Sequence, residues 1–384
     1  MKHMMIRAAS AFCILSVLVV QSANACLWDR DTLAMEAEHF PGITEIITGR
    51  FDRFPPLYYE MRLERVAREL ESAPSDLSLY DDAGVACDRL GRHDEAIEWM
   101  AKKRAVLDAL AEADAEHEYR YLANLGTFHI HRWLSAGADR EDMADAALAR
   151  DLIAQAIELN PDAHFGRERY QLLAIEWILA VDQLEYGLGQ SLMHQIPGYD
   201  YPGGTRGKLT ELGYGDAPQG LMGLIALGNA WESVDVYYAL AFALGDQGDN
   251  VLSELCMLRV RELVEAGGVS LYPDFDYLEL EMAPGRGGVE HEYKQDVRAW
   301  FVQARAESTD WTLARNAYVL DRLHDGLHPD TDPAFWDDWH ETTSPPKFPE
   351  KFAGIIVYPT AFVILILFAF LVFRVVKHRS ASLA

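Results

Sequence analysis

Residues 77–104 read LSLYDDAGVACDRLGRHDEAIEWMAKKR, and this stretch decides the fold. Tyr80, Ala83, Gly84 and Cys87 recur at three- and four-residue intervals, which places them on one face of a helix. Gly91 ends that helix. From His93 a second amphipathic run turns Ala96, Ile97 and Met100 inward, and the small Ala96 lets two antiparallel helices approach closely. The segment predicts a helical hairpin with small residues at its crossing.

An aromatic residue ahead of a Leu-Gly-like pair, a Gly turn and the run Asp94-Glu95-Ala96-Ile97-Glu98 together resemble the tetratricopeptide repeat. The hairpin departs from that family where Lys103 stands at a position usually given to Ala and where the closing Pro is absent. A second copy over 119–162 carries Leu122, Asn124, Leu125 and Gly126, and ends on Ala149, Ile153, Ala156, Ile157, Leu159, Asn160 and Pro161. An insertion around 135–143 separates its halves. Residues 164–181 match the first helix of a further unit in part, and 234–266 repeat the pattern with Tyr237, Leu240, Ala241, Leu244, the turn Gly248-Asp249, then Ser253, Met257 and Val260. With the first copy at 77–108, the resemblance implies an all-α solenoid of helical hairpins over 26–330.

Glycine and proline interrupt this array. Residues 187–220 hold Pro197, Pro202 and Pro218 among many glycines and read as a long surface loop, with Tyr199, Tyr201 and Tyr214 packing back on the helices. Residues 269–290 are broken in the same way, after which 292–323 return to helix. Pro333, Pro345, Pro346 and Pro349 make 331–352 a stiff stalk.

Both ends of the chain read as membrane signals. Residues 353–373 form an uncharged apolar run long enough to span a bilayer as a helix, and the basic tail 374–384 marks the cytoplasmic side. At the other end Lys2 and Arg7 precede an apolar stretch and the sequence Ala23-Asn24-Ala25, so 1–25 read as a secretory leader. Cys26, directly after the cleavage point, is open either to lipidation or to simple exposure as the new terminus. The array is therefore expected on the extracytoplasmic face, periplasmic or extracellular, with a single span below it.

The formal charge is −26; the leader and tail hold five of the 34 Lys and Arg and no acid, leaving the exported part about 29 bases against 60 acids. Such a surface repels phosphate backbones, which excludes nucleic acid as a partner and favours basic proteins. Cys87 and Cys256 have neither metal-ligand nor disulfide spacing.

No phosphate loop, nucleophile elbow or paired CxxC is present, so no catalytic residue, cofactor or metal is assigned. His129 and His131 alternate on one helix and point about 200° apart, too far to share an ion. His324 and His328 have one-face spacing, but Gly326 and Pro329 end the helix there. In the family that the repeats resemble, first helices line a concave groove. The resemblance would put Asp81, Asp88 and Arg89 from the first copy there, Arg120 and Thr127 from the second, Glu168 and Glu176 from the third, and Asp235 and Tyr238 from the fourth. Acids outnumber bases, and Tyr238 offers a ring to a cation. The reading is a membrane-anchored scaffold, not an enzyme, that binds a basic protein or peptide. Two alternatives stay open: an exported enzyme with His194, His291 or His324 under the 187–220 loop, and a structural component of the cell envelope.

Overall fold

The computed structural model describes residues 27–38, 40–161, 166–181, 191–200, 205–272 and 291–347. The leader, Cys26, the span 353–373 and the tail lie outside them, as do Tyr201 and most of 269–290. Among the described residues no helix is long and apolar enough to cross a membrane, and all regular structure is helical.

Three helices open the chain: α1 (Arg30–Glu38), α2 (Ile43–Thr48) and α3 (Pro56–Ser72). Hairpins follow. Helix α4 (Leu77–Arg89) pairs with α5 (His93–Asp108), and α6 (Ala115–Ser135) with α7 (Ala144–Leu159). Local chemistry sets the boundaries. Asp76 caps α4 by accepting the Ser78 N–H at 3.1 Å, and Asp114 caps α6 through the His117 N–H at 3.0 Å. Gly91 takes the left-handed turn between α4 and α5 at φ 72°. Helix α11 (Val234–Gln247) starts on a Ser233 cap and returns through Gly248 into α12 (Asn250–Glu265). Helical hairpins thus occupy 77–108, 115–159 and 234–265.

The third unit finds its partner inside the stretch read as loop. Helix α8 (Arg167–Ala180) packs on α10 (Ala217–Ala226), so the glycine-rich insertion, with its short helix α9 (Lys208–Glu211), separates the two halves of a hairpin. Pro218 lies in the first turn of α10, where a missing N–H costs nothing. Gly220 lies flat on Tyr170: a Cβ there would stand 2.0 Å from a ring carbon. Tyr199 is buried and Tyr214 meets Tyr170 edge-on at 6.2 Å, as the sequence suggested.

Helix α13 (His291–His324) packs on α12 and reaches back to α2 and α3. The residues after it form no free stalk over the described range 331–347. Phe335 is fully buried beside Tyr318, Arg50 bonds Glu341 and Thr343, and the Thr44 hydroxyl donates to the Pro346 carbonyl. Prolines stiffen this segment, but Phe335, Trp336 and Trp339 supply apolar surface that gains by burial. The chain thus closes on itself, and its main core lies among α6, α8, α10, α11 and α12.

Gly220→Ala should separate α8 from α10 and cost about 1–3 kcal/mol in urea unfolding. Gly223→Ala, which meets only the flexible Arg167 stem at 2.9 Å, should cost clearly less. Equal midpoints for the two variants would contradict this helix contact.

Candidate binding pocket at Asp88, His93 and His131

The row of first helices that the sequence marks as a groove is filled by the chain's own residues from 27–38 and 40–51. Leu27 sits among Val85, Met100 and Phe128, and Trp28 among Tyr119, Leu122 and Ala156, both essentially without exposure. Asn124 clamps the Trp28 backbone from both sides, accepting its N–H at 2.8 Å and donating to its carbonyl at 3.0 Å. Further along, the Tyr237 hydroxyl donates to the Ile46 carbonyl.

The proposed groove residues are placed accordingly. Asp81 is buried and receives the Lys103 ammonium on both oxygens at 2.7 Å, with Asn124 adding a third bond. That pair explains the family departure at Lys103. Asp235 is buried and accepts from the Ser270 hydroxyl and the Leu271 N–H; Tyr238 is buried against Phe242. Glu168 is buried beside Arg167. Thr127 is buried and bonded by Gln171. Arg120 is half-buried on Glu116, and Glu176 is exposed. An open acidic groove is absent at these positions, because most of their charge is compensated inside the fold.

The inner segment is held by a buried charge network. Arg62, with no exposure, donates to Asp29, Asp31, Asp330 and the Tyr58 hydroxyl at 2.6–3.0 Å. Arg30 reaches Asp82 at 2.7 Å, and Arg65 also reaches Asp330 at 2.7 Å. Burial raises the Asp330 carboxyl, but the Arg62 bonds and charge outweigh it and hold the group at about 2. For Asp29 burial and the neighbouring Asp31 win over Arg62, pushing it up to about 7. His328 belongs to this cluster, its Nε2 on the Tyr58 carbonyl, and it is not paired with the exposed His324.

Asp88 and Arg89 are brought together with partners the sequence did not give them. Asp88 on α4, His93 at the start of α5 and His131 on α6 meet where the α4–α5 turn faces the next hairpin. The His131 Nδ1 lies 2.8 and 2.9 Å from the two Asp88 oxygens, and the His93 Nδ1 lies 2.9 Å from one of them. Burial raises the Asp88 carboxyl, yet the two imidazoles outweigh it and hold the group well below the usual range. His129 points the other way, to Asp145 at 2.8 Å, so the two rings diverge as their spacing required.

These residues line a cavity of about 290 Å³ with walls from Phe54, Tyr59 and Trp231. Arg89, whose Nη2 donates to the Leu227 carbonyl at 2.9 Å, lies over the Trp231 ring at 5.0 Å. Asn229 also lines the cavity and holds a left-handed φ of 66°, an uncommon state for a residue with a side chain. The Arg89 Nη1, Asn229 Oδ1 and His131 Nε2 are all buried without a hydrogen-bond partner among the described residues. Aromatic walls with a few unsatisfied polar groups are the composition of a ligand pocket. Asp88, His93 and His131 are also the donors that could hold a metal ion, with ligating atoms within 4.8 Å of one another. A zinc-class ion takes imidazole nitrogen at about 2.0–2.1 Å, so the three would have to draw together, next to the Arg89 cation. As they stand, one carboxylate serves two imidazoles.

No family model, curated protein or solved structure matches this chain.

Two outcomes follow from these charges. Asp29 keeps a proton in the folded state, so the stability this confers is full below about pH 4 and gone by about pH 7, falling by up to about 1.4 kcal/mol per pH unit between. Urea unfolding of wild type relative to Asp29→Asn should show that decline and level off above pH 7; a flat difference would refute it. Asp88→Ala leaves His131 buried without its acceptor, and should cost about 1–3 kcal/mol more than His93→Ala by the same measurement.

Proposed function

We propose that this chain is a membrane-anchored, tetratricopeptide-like interaction protein without catalytic activity, held on the extracytoplasmic face by residues 353–373. We propose further that its protein or peptide partner places a side chain in the pocket over Arg89 and His131. One observation carries this reading. The inner row of the array is packed with residues from 27–38 and 40–51, whereas the pocket is a cavity whose aromatic walls stand beside Arg89 Nη1, Asn229 Oδ1 and His131 Nε2, buried without a hydrogen-bond partner among the described residues. Interface hot spots are built from such pockets, with Trp, Tyr and Arg at their centre. The entering side chain is one that offers an acceptor to Arg89, a carboxylate or an amide. A basic partner drawn to the exposed acids remains the competing expectation, and Glu176 is the groove residue still open to it.

The His131–Asp88 pair favours a second reading, a general base in an exported enzyme. Ser135, one turn beyond His131, lines the same cavity. Its hydroxyl, however, donates to the Arg132 carbonyl at 3.0 Å and makes no bond to His131, so no nucleophile is engaged with the base.

Cross-linking in intact cells, purification through a C-terminal tag and mass spectrometry distinguish these readings. Ser135 is exposed, so Ser135→Trp should block the pocket without disturbing the core and remove the partner, while Glu176→Lys and Ser135→Ala retain it. Loss in Glu176→Lys alone would transfer the site to the acidic surface. Equal recovery from all variants would reject the pocket as a docking point.

A further inference from the structure

A second cavity, of about 420 Å³, lies between α2, α12 and α13, and its charged lining consists of Arg53, Arg259 and Arg305 with Glu232 and Glu262. Three cations against two carboxylates leave this lining net positive, in a chain of net charge −26. Glu262 compensates two of the three: Arg305 donates to it through Nε and Nη2 at 2.7–3.1 Å, and the Arg259 Nη1 lies 3.0 Å from it. Arg305 also donates to the Thr48 carbonyl.

Arg53 has neither an ion pair nor a hydrogen bond among the described residues. Its Nε is buried without a partner, and its guanidinium lies over Phe51 and Trp231 at 4.7 and 5.0 Å. Aromatic faces attract a cation, but they supply no acceptor for its N–H groups. Burial, with the nearby Arg259 and Arg305 charges, outweighs the opposing influence of Tyr237 and Glu232 and pulls this guanidinium down to about 10. A cation so placed is held at a cost, and an arriving anion would relieve it.

Two of the arginines meet at Gly49. Gly49 sits in the left-handed region at φ 77°, and a Cβ there would stand 2.9 Å from the Arg305 Nη1 and 3.5 Å from the Arg53 Nη2. Two guanidinium groups therefore converge on one corner that only a residue without a side chain leaves open. Planar guanidinium forks match carboxylate and phosphate oxygens.

We propose that Arg53, with Arg305 and Arg259, forms an oxyanion site at the corner opened by Gly49, for a phosphate or carboxylate group. The site stands apart from the pocket of the preceding section, sharing only the Trp231 ring that Arg53 and Arg89 both overlie. Leu263 and Leu313 line the same cavity, so a carboxylate carrying a short apolar chain finds both its charge and its tail accommodated.

The test is thermal unfolding of the full-length protein in detergent, in chloride buffer at constant ionic strength, with increasing phosphate in one arm and butyrate in the other. Wild type should gain several degrees in a saturable way, because a ligand that binds the folded state alone stabilises it. A response to both probes identifies a general oxyanion site, and the arm that saturates at lower concentration identifies the preferred group. Arg53→Met should lose the response while unfolding in chloride at a temperature no lower than wild type. Leu313 is 63 % exposed, so Leu313→Glu should fold normally and abolish the response by like charge. An undiminished gain in both variants, or no gain in wild type with either probe, would overturn the proposal.

Discussion

Arg62 is the residue on which the architecture turns. A guanidinium removed from water must have its hydrogen-bonding capacity met, and here Asp29 and Asp31 arrive from the start of the array, Tyr58 from its own helix and Asp330 from beyond α13. Arg62 brings together acids far apart in sequence, with Arg65 and His328 adding to the same junction. Removing one partner from such a group is far more damaging than replacing the whole set with apolar residues. The network therefore specifies which segments meet, whatever net stability it adds.

The same economy governs the inner face. Acids that looked available to a partner hold internal cations, imidazoles or backbone groups: Asp81 holds Lys103, Asp82 holds Arg30, Asp88 holds two histidines and Asp235 holds the Ser270–Leu271 turn. Some of the unsatisfied polar groups lie at the cavities on either side of Trp231. There Arg89 and Arg53 approach the same ring, each with a buried nitrogen that has no acceptor.

The hairpins were legible because their signals are local. Tyr80 to Cys87 and Ala96 to Met100 state a helical period, and Gly91 and Gly248 state the turns. Gly220 was misleading for a physical reason. In a single sequence a glycine serving close contact looks the same as one serving a loop, and only Tyr170, fifty residues earlier, separates the two. The site was half legible. Asp88 and Arg89 stood out as polar residues off the packing face, but burial depends on what covers them, and residues 27–51 carry no repeat signature. That the partner of His131 would be Asp88, forty-three positions away, depends on how α4 and α6 come together.

An open solenoid can fold from any point and grow in either direction, since each unit touches only its neighbours. This one is fastened end to end, with Arg50 bound to Glu341 and Arg62 to Asp330 across more than 260 positions of sequence. The closing bonds form only when some of the last residues of the array to be synthesised return to some of the first. Until then Arg62 lacks its Asp330 partner and Tyr58 lacks His328 stacked on it. The array behaves as a ring with a clasp, slow to complete because of the loop it must close, and cooperative once it has closed.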